Sequence, residues 1–438
     1  MKSLLLKATL PAALTLTLLF FGCQTTGEST GSPSAAAKTV TVAQSGQADV
    51  VGTDDIALQK AADMLSPGDT LSIGPGVYTL GNSLVIPVSG VTVRGVPGET
   101  VLKKAPGIAS RVIDGGDWGE SDLRVAEPEK FRVGMGVSMT DRRHDGGYYV
   151  VTTYVKAIAG DTLKLAERSI HDLDYIGGTA SIESKFPVLA AYRVRDLVIE
   201  GITADGNKDE NPYALDGCRG GAIYLFDCRN CLITGCVARN YNGDGISFQI
   251  TDSISVIGCE ATGNTGLGIH PGTGSWRPVV RNCHTHHNGQ IGLFLCYRVR
   301  LGQFTDNLID YNGNYGISIG HKDSDNLLTG NKVRFNGFSG VYFRKNELQV
   351  GGHRNVFRGN EITDNGSARE GYGVYVEATN VDEVFENNLI AETRAGNERT
   401  QQYGVYIKKG DSRVRLSGNT MQGHTRQDVQ DENGVALK

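Results

Sequence analysis

Proline is scarce in this sequence, 12 of 438 residues, tryptophan occurs twice, and the formal net charge is only -5. No apolar run reaches the roughly 20 residues that a membrane-spanning helix requires; the stretch over residues 8 to 21 stops short of it. A chain this close to neutral offers no basic face, so nucleic acid is not an expected partner. Seven cysteines follow Cys23, an odd number that does not make a complete disulfide framework. Glycine, by contrast, is abundant at 58 residues, and with so little proline it points to many tight turns rather than a low-complexity linker. The hydrophobic share of 39% suffices for one large core or two ordinary ones.

The amino end reads as an export signal over residues 1–22: Lys2 and Lys7, an apolar run, then Gly22 and Cys23. "LFFGC" is similar to a bacterial lipobox, with Phe20 where that pattern usually has leucine, which makes Cys23 the expected lipidation site. Residues 23–44 follow as a flexible tether to a membrane surface. The protein is therefore expected to be exported and lipid-anchored in the cell envelope, or secreted if Cys23 stays unmodified.

A repeat governs the rest. "GISFQITDSISVIGC" (245 to 259), "GLFLCYRVRLGQFTDN" (292 to 307) and "GISIGHKDSDNLLTGN" (316 to 331) are three of eight copies beginning at 222, 245, 268, 292, 316, 340, 373 and 404. Apolar residues at the second and fourth positions, such as Ile246 and Phe248 or Ile317 and Ile319, have strand periodicity. Each copy closes on one column: Cys236, Cys259, Cys283, Asn307, Asn331, Asn360, Asn388, Asn419. A second asparagine, at 264, 288, 312, 336 and 365, is followed by glycine in four cases and reads as a turn signal. Three short strands per copy cannot bury their apolar faces alone, but stacked copies form a parallel β-solenoid. Asparagines stacked at an inward turn can satisfy buried backbone groups. The cysteines of that column are expected as small free-thiol fillers, although a rung spacing of about 4.8 Å would permit disulfides.

Residues 54 to 80, "DDIALQKAADMLSPGDTLSIGPGVYTL", begin with Asp54 as a helix cap and set Ile56, Ala57, Ala61, Met64 and Leu65 on one helical face. Such a helix can cover the exposed first rung of a solenoid. With the G-[ILV]-x-[ILVF] to asparagine repeat, this segment resembles the right-handed parallel β-helix proteins of the pectin lyase-like superfamily, over residues 45 to 425. The expected fold is all-β: a single-stranded right-handed parallel β-helix with an N-terminal capping helix and an inserted small β-subdomain. Residues 45–130 make the cap and first rungs, 131–186 alternate like antiparallel strands and make the insertion, 187–425 the repeats and 426–438 a tail. The chain is expected to be a monomer. The superfamily houses lyases, hydrolases, epimerases and adhesins, so the resemblance implies a fold rather than an activity.

In enzymes of that superfamily the substrate lies along the outside of the first sheet of each rung. The resemblance thus directs attention to outward positions there, which parity assigns. Gly272 and Gly320 in the middle rungs suggest a depression ringed by His270, His321, Tyr342 and Arg344, the candidate catalytic residues. Phe294 and Tyr297 could stack on sugar faces, and Arg298, Lys322 and Lys345 could meet a carboxylate or sulfate. Asp244, Ser247, Gln249, Asp323, Glu347 and Glu377 complete the candidate substrate-binding set. The plainer alternative is that charged residues at solenoid turns are simply solvated, with Glu377 between Arg344 and Lys408 as a cross-rung ion ladder. His284 and His286 read as a surface cluster rather than a metal site. Asp205, Asn207 and Asp209 have calcium-loop spacing, with Glu210 where glycine is expected. No metal is assigned; calcium enters only as a cation that the resemblance allows.

Three activities fit. A polysaccharide lyase or uronate C5-epimerase needs a cation on the carboxylate, a base and an acid: Arg344 with Lys322 or Lys345, then His270 or His321, then Tyr342. A glycoside hydrolase needs two carboxylates, about 5 Å apart for retention, and Asp323 and Glu347 share a column in adjacent rungs. The paired-aspartate, Gly-His-Gly and Arg-x-Lys motifs of the polygalacturonases are absent, so no residues carry over from them. A non-catalytic glycan-binding protein would have a featureless outer column. The clustered His, Tyr and Arg place an enzyme acting on a polysaccharide first, lyase or epimerase ahead of hydrolase.

Overall fold

The computed structural model describes residues 37–377 and 379–434; the export signal, Cys23 and most of the tether lie outside the described residues. Each repeat folds into three short strands because its apolar residues come in brief alternating runs broken by positions that tolerate a left-handed backbone. Ahead of the closing column stand Gly235, Gly258, Asn282, Asp306, Gly330, Gly359, Asn387 and Gly418, all at φ between 53° and 64°. Glycine, asparagine and aspartate take up this conformation at least cost. Each therefore ends one strand and turns the chain into the next.

Stacking gives three parallel sheets of 13, 11 and 11 strands around one continuous apolar core running from Val40 to Val414. Register is kept from rung to rung: Ile246 pairs with Ile223 and Ile269, and Ile317 with Leu293 and Val341. The corners are closed by polar ladders. Asn307 Nδ2 and its own backbone N–H both donate to Asn331 Oδ1, at 2.9 and 3.0 Å, and Asn307 Nδ2 also reaches the Val280 carbonyl (3.0 Å). Asn331, Asn360, Asn388 and Asn419 continue this bond. The second asparagine column is a ladder of the same kind and not merely a turn signal: Asn264 to Asn365 hand the bond on and end at Gln401 Oε1 (3.2 Å). A third ladder, Asn326 to Asn355 to Glu383, holds another corner. Cys236, Cys259 and Cys283 are buried free thiols, with Sγ directed at the carbonyls of Ile199, Ile233 and Val256.

The helix spans Asp55–Ala62, and Asp54 accepts the Ala57 N–H (3.0 Å) as its cap. Its buried apolar face is Ala57, Leu58, Ala61 and Ala62, whereas Ile56 and Met64 are exposed. Of the expected face Ala57, Ala61 and Leu65 are buried, while Met64 lies past the end of the helix at Ala62 and Ile56 points to solvent in its first turn.

The inserted unit is a closed six-stranded antiparallel barrel with its own apolar core. It takes Ala109–Asp114 and Asp122–Val125 from ahead of residue 131 and closes with Ser181–Glu183, so it begins earlier than the expected 131–186. The shaft is not interrupted, because Leu84–Ile86 before the barrel pairs directly with Leu189–Tyr192 after it. Arg132 Nη2 binds both Asp55 oxygens (2.7 and 2.8 Å), tying barrel to cap helix. Strands Thr39–Ala43 and Gln427–Asp431 add pairing at the two ends, inside the segments expected as tether and tail.

Two stability outcomes follow from the ladders. Asn331→Ala orphans the Asn307 amide groups and the Phe304 carbonyl, at about 1–3 kcal/mol for each buried group left unsatisfied, so urea unfolding shifts strongly toward lower concentration. Glu383 is fully buried, and burial raises its pKa well above 4.5. The charged folded form is therefore disfavoured, and this cost appears as pH rises above the unfolded value. Glu383→Gln, which can accept as Gln401 does, raises the melting temperature near neutral pH. The difference disappears as pH falls below about 4.5.

Candidate functional site

The sheet formed by the first strand of every repeat carries the residues singled out above. Two non-repeating segments cross its outer face: a strap over residues 211–221 and a barrel loop that includes Tyr148. The Gly217 carbonyl accepts from Ser247 Oγ (2.7 Å) and Gln249 Nε2 (3.1 Å), and Tyr148 OH donates to Gln249 Oε1 (3.2 Å). Ser247 and Gln249 are consequently 0% exposed and do not line an open groove. Nor do the two glycines leave a hollow. A Cβ on Gly272 would fall 1.9 Å from the Gln249 amide, and one on Gly320 would fall 3.0 Å from Arg344. They make room for neighbouring side chains, so the expected depression is filled.

Under the strap, His270 Nδ1 and Asp244 Oδ2 are 2.7 Å apart, and Asp244 Oδ1 accepts the Leu267 N–H (3.0 Å). Gly217 passes directly over this bond: a Cβ there would lie 1.8 Å from Asp244 Oδ2. The other ring nitrogen, Nε2, is buried with no acceptor among the described residues. Burial by itself lowers an imidazole pKa, but the hydrogen bond to Asp244, with the neighbouring Cys296 acting in the same direction, outweighs it and raises His270 to about 10. The ring thus carries a proton at neutral pH. That changes the role open to it from base to acid.

Two rungs further along, His321 sits just beyond the strand Tyr315–Ile319 at φ 47°, stacked on Tyr297 at 5.4 Å. Burial, and then the charge of Arg344, hold its pKa below the usual 6.5. Between the two imidazoles lie Phe294, 5.1 Å from the His270 ring, and Arg344, 4.4 Å over Phe294. Arg344 donates to Ser318 Oγ (2.9 Å), the Leu295 carbonyl (2.7 Å) and Asp323 Oδ2 (3.1 Å). The guanidinium expected to clamp a substrate carboxylate is therefore committed to the protein, apart from a buried Nε without an acceptor.

Asp323 is not on the rim. It is fully buried, accepts the N–H groups of Val299 (2.9 Å) and Gly320 (3.0 Å), and has its pKa pushed up to about 6 by burial, with Arg344 acting against that. Glu347 is exposed ahead of the turn Leu348–Val350, so the carboxylate pair suited to hydrolysis is not assembled at the surface. Tyr342 OH donates to Glu377 Oε2 (2.6 Å), and Lys408 to Glu377 Oε1 (3.1 Å). This is the anticipated ion ladder without Arg344. Burial and Glu377 both raise the Tyr342 pKa. Arg298 lies over the ring of Tyr297 (4.9 Å), while Lys322 and Lys345 form no ion pair among the described residues. His284 and His286 pair across rungs with Asp310 (2.8 Å) and Glu260 (3.0 Å), and Asp205 with Arg239 (2.8 Å). The described residues contain no grouping of three or more side chains suited to a metal.

An insertion of this kind is expected from the sequence to be able to wall one end of a groove, and the barrel does so, although the sequence does not single out the residues of that wall. A cleft of about 540 Å³ opens between the barrel and the N-terminal end of the same sheet face, with Tyr154, Arg168, Tyr192, Arg193, Arg219 and Phe226 among its walls. Phe226 stands in an outward column, which was a partial signal. The residues of the barrel wall belong to no repeat and left none.

The family described as Right handed beta helix region matches over residues 202–350. No curated protein matches the sequence. Solved structures do match. The A-module of mannuronan C-5 epimerase AlgE4 from Azotobacter vinelandii is 17% identical, with a TM-score of 0.54 over 86% of this chain and 93% of that one. The polygalacturonase of Erwinia carotovora ssp. carotovora is 12% identical, with a TM-score of 0.57 over 94% and 99%. PfbA, a surface adhesin of Streptococcus pneumoniae, is 11% identical, with a TM-score of 0.52 over 86% and 88%. An epimerase, a hydrolase and an adhesin share one architecture at such identities, so the likeness speaks to fold alone. The chain is a right-handed parallel β-helix protein with the pectin lyase-like fold.

Proposed function

We propose that the protein acts on a uronate-containing polysaccharide, removing the proton beside the sugar carboxylate as a C5-epimerase or lyase does. The observation that carries this is the divergence of two imidazoles on one sheet face, His270 raised to about 10 and His321 lowered from 6.5. Titratable groups whose environments push them apart are natural acid and base partners. His321, neutral and half-buried, abstracts the proton. His270, whose Nε2 has no acceptor, returns one to the opposite face of the ring in epimerisation, or to the leaving glycosidic oxygen in elimination. His270 is in register with Phe294 and with Ser318 two rungs on, about 9.6 Å away. His321 lies three residues beyond Ser318, so the imidazoles are offset along the strands as well as across rungs, with Phe294 and the Arg344 guanidinium between them. Lys322 and Lys345, which form no ion pair among the described residues, are the cations for the carboxylate, and Arg344 acts through its charge on His321. Access to His270 requires the strap to lift from Gly217. This chemistry stands ahead of hydrolysis because Asp323 is buried and Glu347 exposed, so no surface carboxylate pair is assembled. Export and lipid anchoring at Cys23 belong to the same proposal and rest on residues 1–23.

The test is incubation of mannuronate, guluronate and galacturonate polymers in D2O, followed by NMR for deuterium at C5 and by ultraviolet absorbance for unsaturated uronate. His321→Ala lowers either rate by about 10²–10⁴-fold. The kcat/KM profile rises through a pKa below 6.5 and falls near 10. Asp244→Asn removes the charge that favours the imidazolium and moves the alkaline limb to lower pH. Neither deuterium nor unsaturated product on any of the polymers would sink the proposal.

A further inference from the structure

The cleft beside the barrel is a second place where the molecule can hold a ligand, distinct from the two imidazoles. Its volume of about 540 Å³ lies within the range of small-molecule sites, and it combines aromatic walls with a few polar groups, the usual make-up of such sites. Tyr154 and Tyr192 are 45% and 36% exposed, although each presents a large ring. Tyr192 meets Tyr224 in a T-shaped contact at 6.0 Å, and among the described residues no ring is stacked on it. Half-exposed rings in a concave site are suited to the apolar face of a pyranose.

The charge in the cleft has one dominant sign. Arg168, Arg193 and Arg219 line it against a single carboxylate, Glu167. Arg193 leans toward Asp227 at 4.0 Å. Arg168 and Arg219 have no carboxylate partner among the described residues and donate instead to the carbonyls of Gly119 (3.2 Å) and Tyr148 (2.6 Å). Arg219 Nε is buried with no acceptor among the described residues. Guanidinium groups held in place without counter-ions, next to exposed aromatic rings, call for an anionic partner that also has an apolar face.

We propose that this cleft binds a short stretch of acidic oligosaccharide, carboxylated or sulfated, and holds the polymer away from the reacting sugar. The identification of the ligand as a sugar rests on the function proposed above; the cleft and its charge do not. Arg219 belongs to the strap that crosses Asp244 and His270 at Gly217, so polymer held here lies next to the segment that covers the imidazoles.

The experiment is calorimetric titration of the full chain with tetrasaccharides of galacturonate and of mannuronate, a sulfated tetrasaccharide, and a neutral one of equal length. Tyr192→Ala and Arg168→Gln, both at exposed positions, serve as variants with little effect on folding; Arg219→Gln and Arg219→Lys probe the partly buried cation. Acidic tetrasaccharides are expected to bind, the neutral one to bind at least about tenfold more weakly, and binding to weaken with added salt. Tyr192→Ala and Arg219→Gln each lose about tenfold or more, Arg219→Lys retains part of the affinity, and His321→Ala binds as the parent does. Comparing the carboxylated and sulfated ligands decides which anion is preferred. Equal affinity for neutral and acidic ligands, or affinity unchanged in Tyr192→Ala and Arg219→Gln, overturns the inference. Cleft binding without any C5 exchange leaves it standing and removes the catalytic proposal; exchange with KM unchanged in the cleft variants does the reverse.

Discussion

The buried carboxamide at each corner is the interaction on which the rest depends. A chain that turns three times in about two dozen residues brings its main-chain donors and acceptors into an apolar interior at every corner, where an unpaired group costs about 1–3 kcal/mol. Asparagine resolves this within one residue. Its oxygen takes two N–H groups from the rung before, and its nitrogen serves a carbonyl of another rung and the next oxygen along. The requirement is for an acceptor of fixed reach, which is why Gln401 can end one ladder and Glu383 another. Glutamate meets the geometry but brings a charge into the core.

A shaft closed in this way keeps its register along its whole length, so function is confined to what projects from it. On the outer face of the sheet formed by the first strand of every repeat, neighbouring positions are coupled across rungs rather than free. Gln249 fills the space above Gly272, Arg344 lies across Gly320 and Ser318, and Gly217 must lack a side chain because the strap rests on the Asp244–His270 bond. A missing side chain in a β-helix is therefore as much a place for a neighbour as a gap for a ligand. Only rung-by-rung geometry separates the two.

What could be seen in the sequence is what repeats. The period, the closing column, the left-handed residue before it and the outward parity all recur eight times, and the architecture follows from them. The site was legible only in part. Parity correctly brought His270, Phe294 and Arg344 onto one face, but the strap over 211–221 and Tyr148 of the barrel are single occurrences whose contacts lie far away in sequence, such as Tyr148 to Gln249. Nothing periodic announces them. The same blindness covers the barrel's early strands and the residues of the cleft's barrel wall. The helix face was legible at Ala57, Ala61 and Leu65 but not at Met64, because a two-turn helix is too short for its apolar pattern to fix where it stops.

The two histidines show how one scaffold produces opposite chemistry from one residue type. Both rings are taken out of water, and that alone lowers the pKa of each. At His270 the carboxylate of Asp244, held by the Leu267 N–H and covered by the strap, lies against the ring, which overrides burial and keeps the proton on. At His321 the charge of Arg344 adds to burial and helps keep the proton off. Arg344 is in turn fixed by Asp323, a carboxylate held by two backbone amides at the corner of its rung. A corner carboxylate thus positions the cation that adds to burial in keeping the half-buried His321 neutral, and the polar closure of the shaft reaches, in two steps, the group proposed to take the substrate's proton.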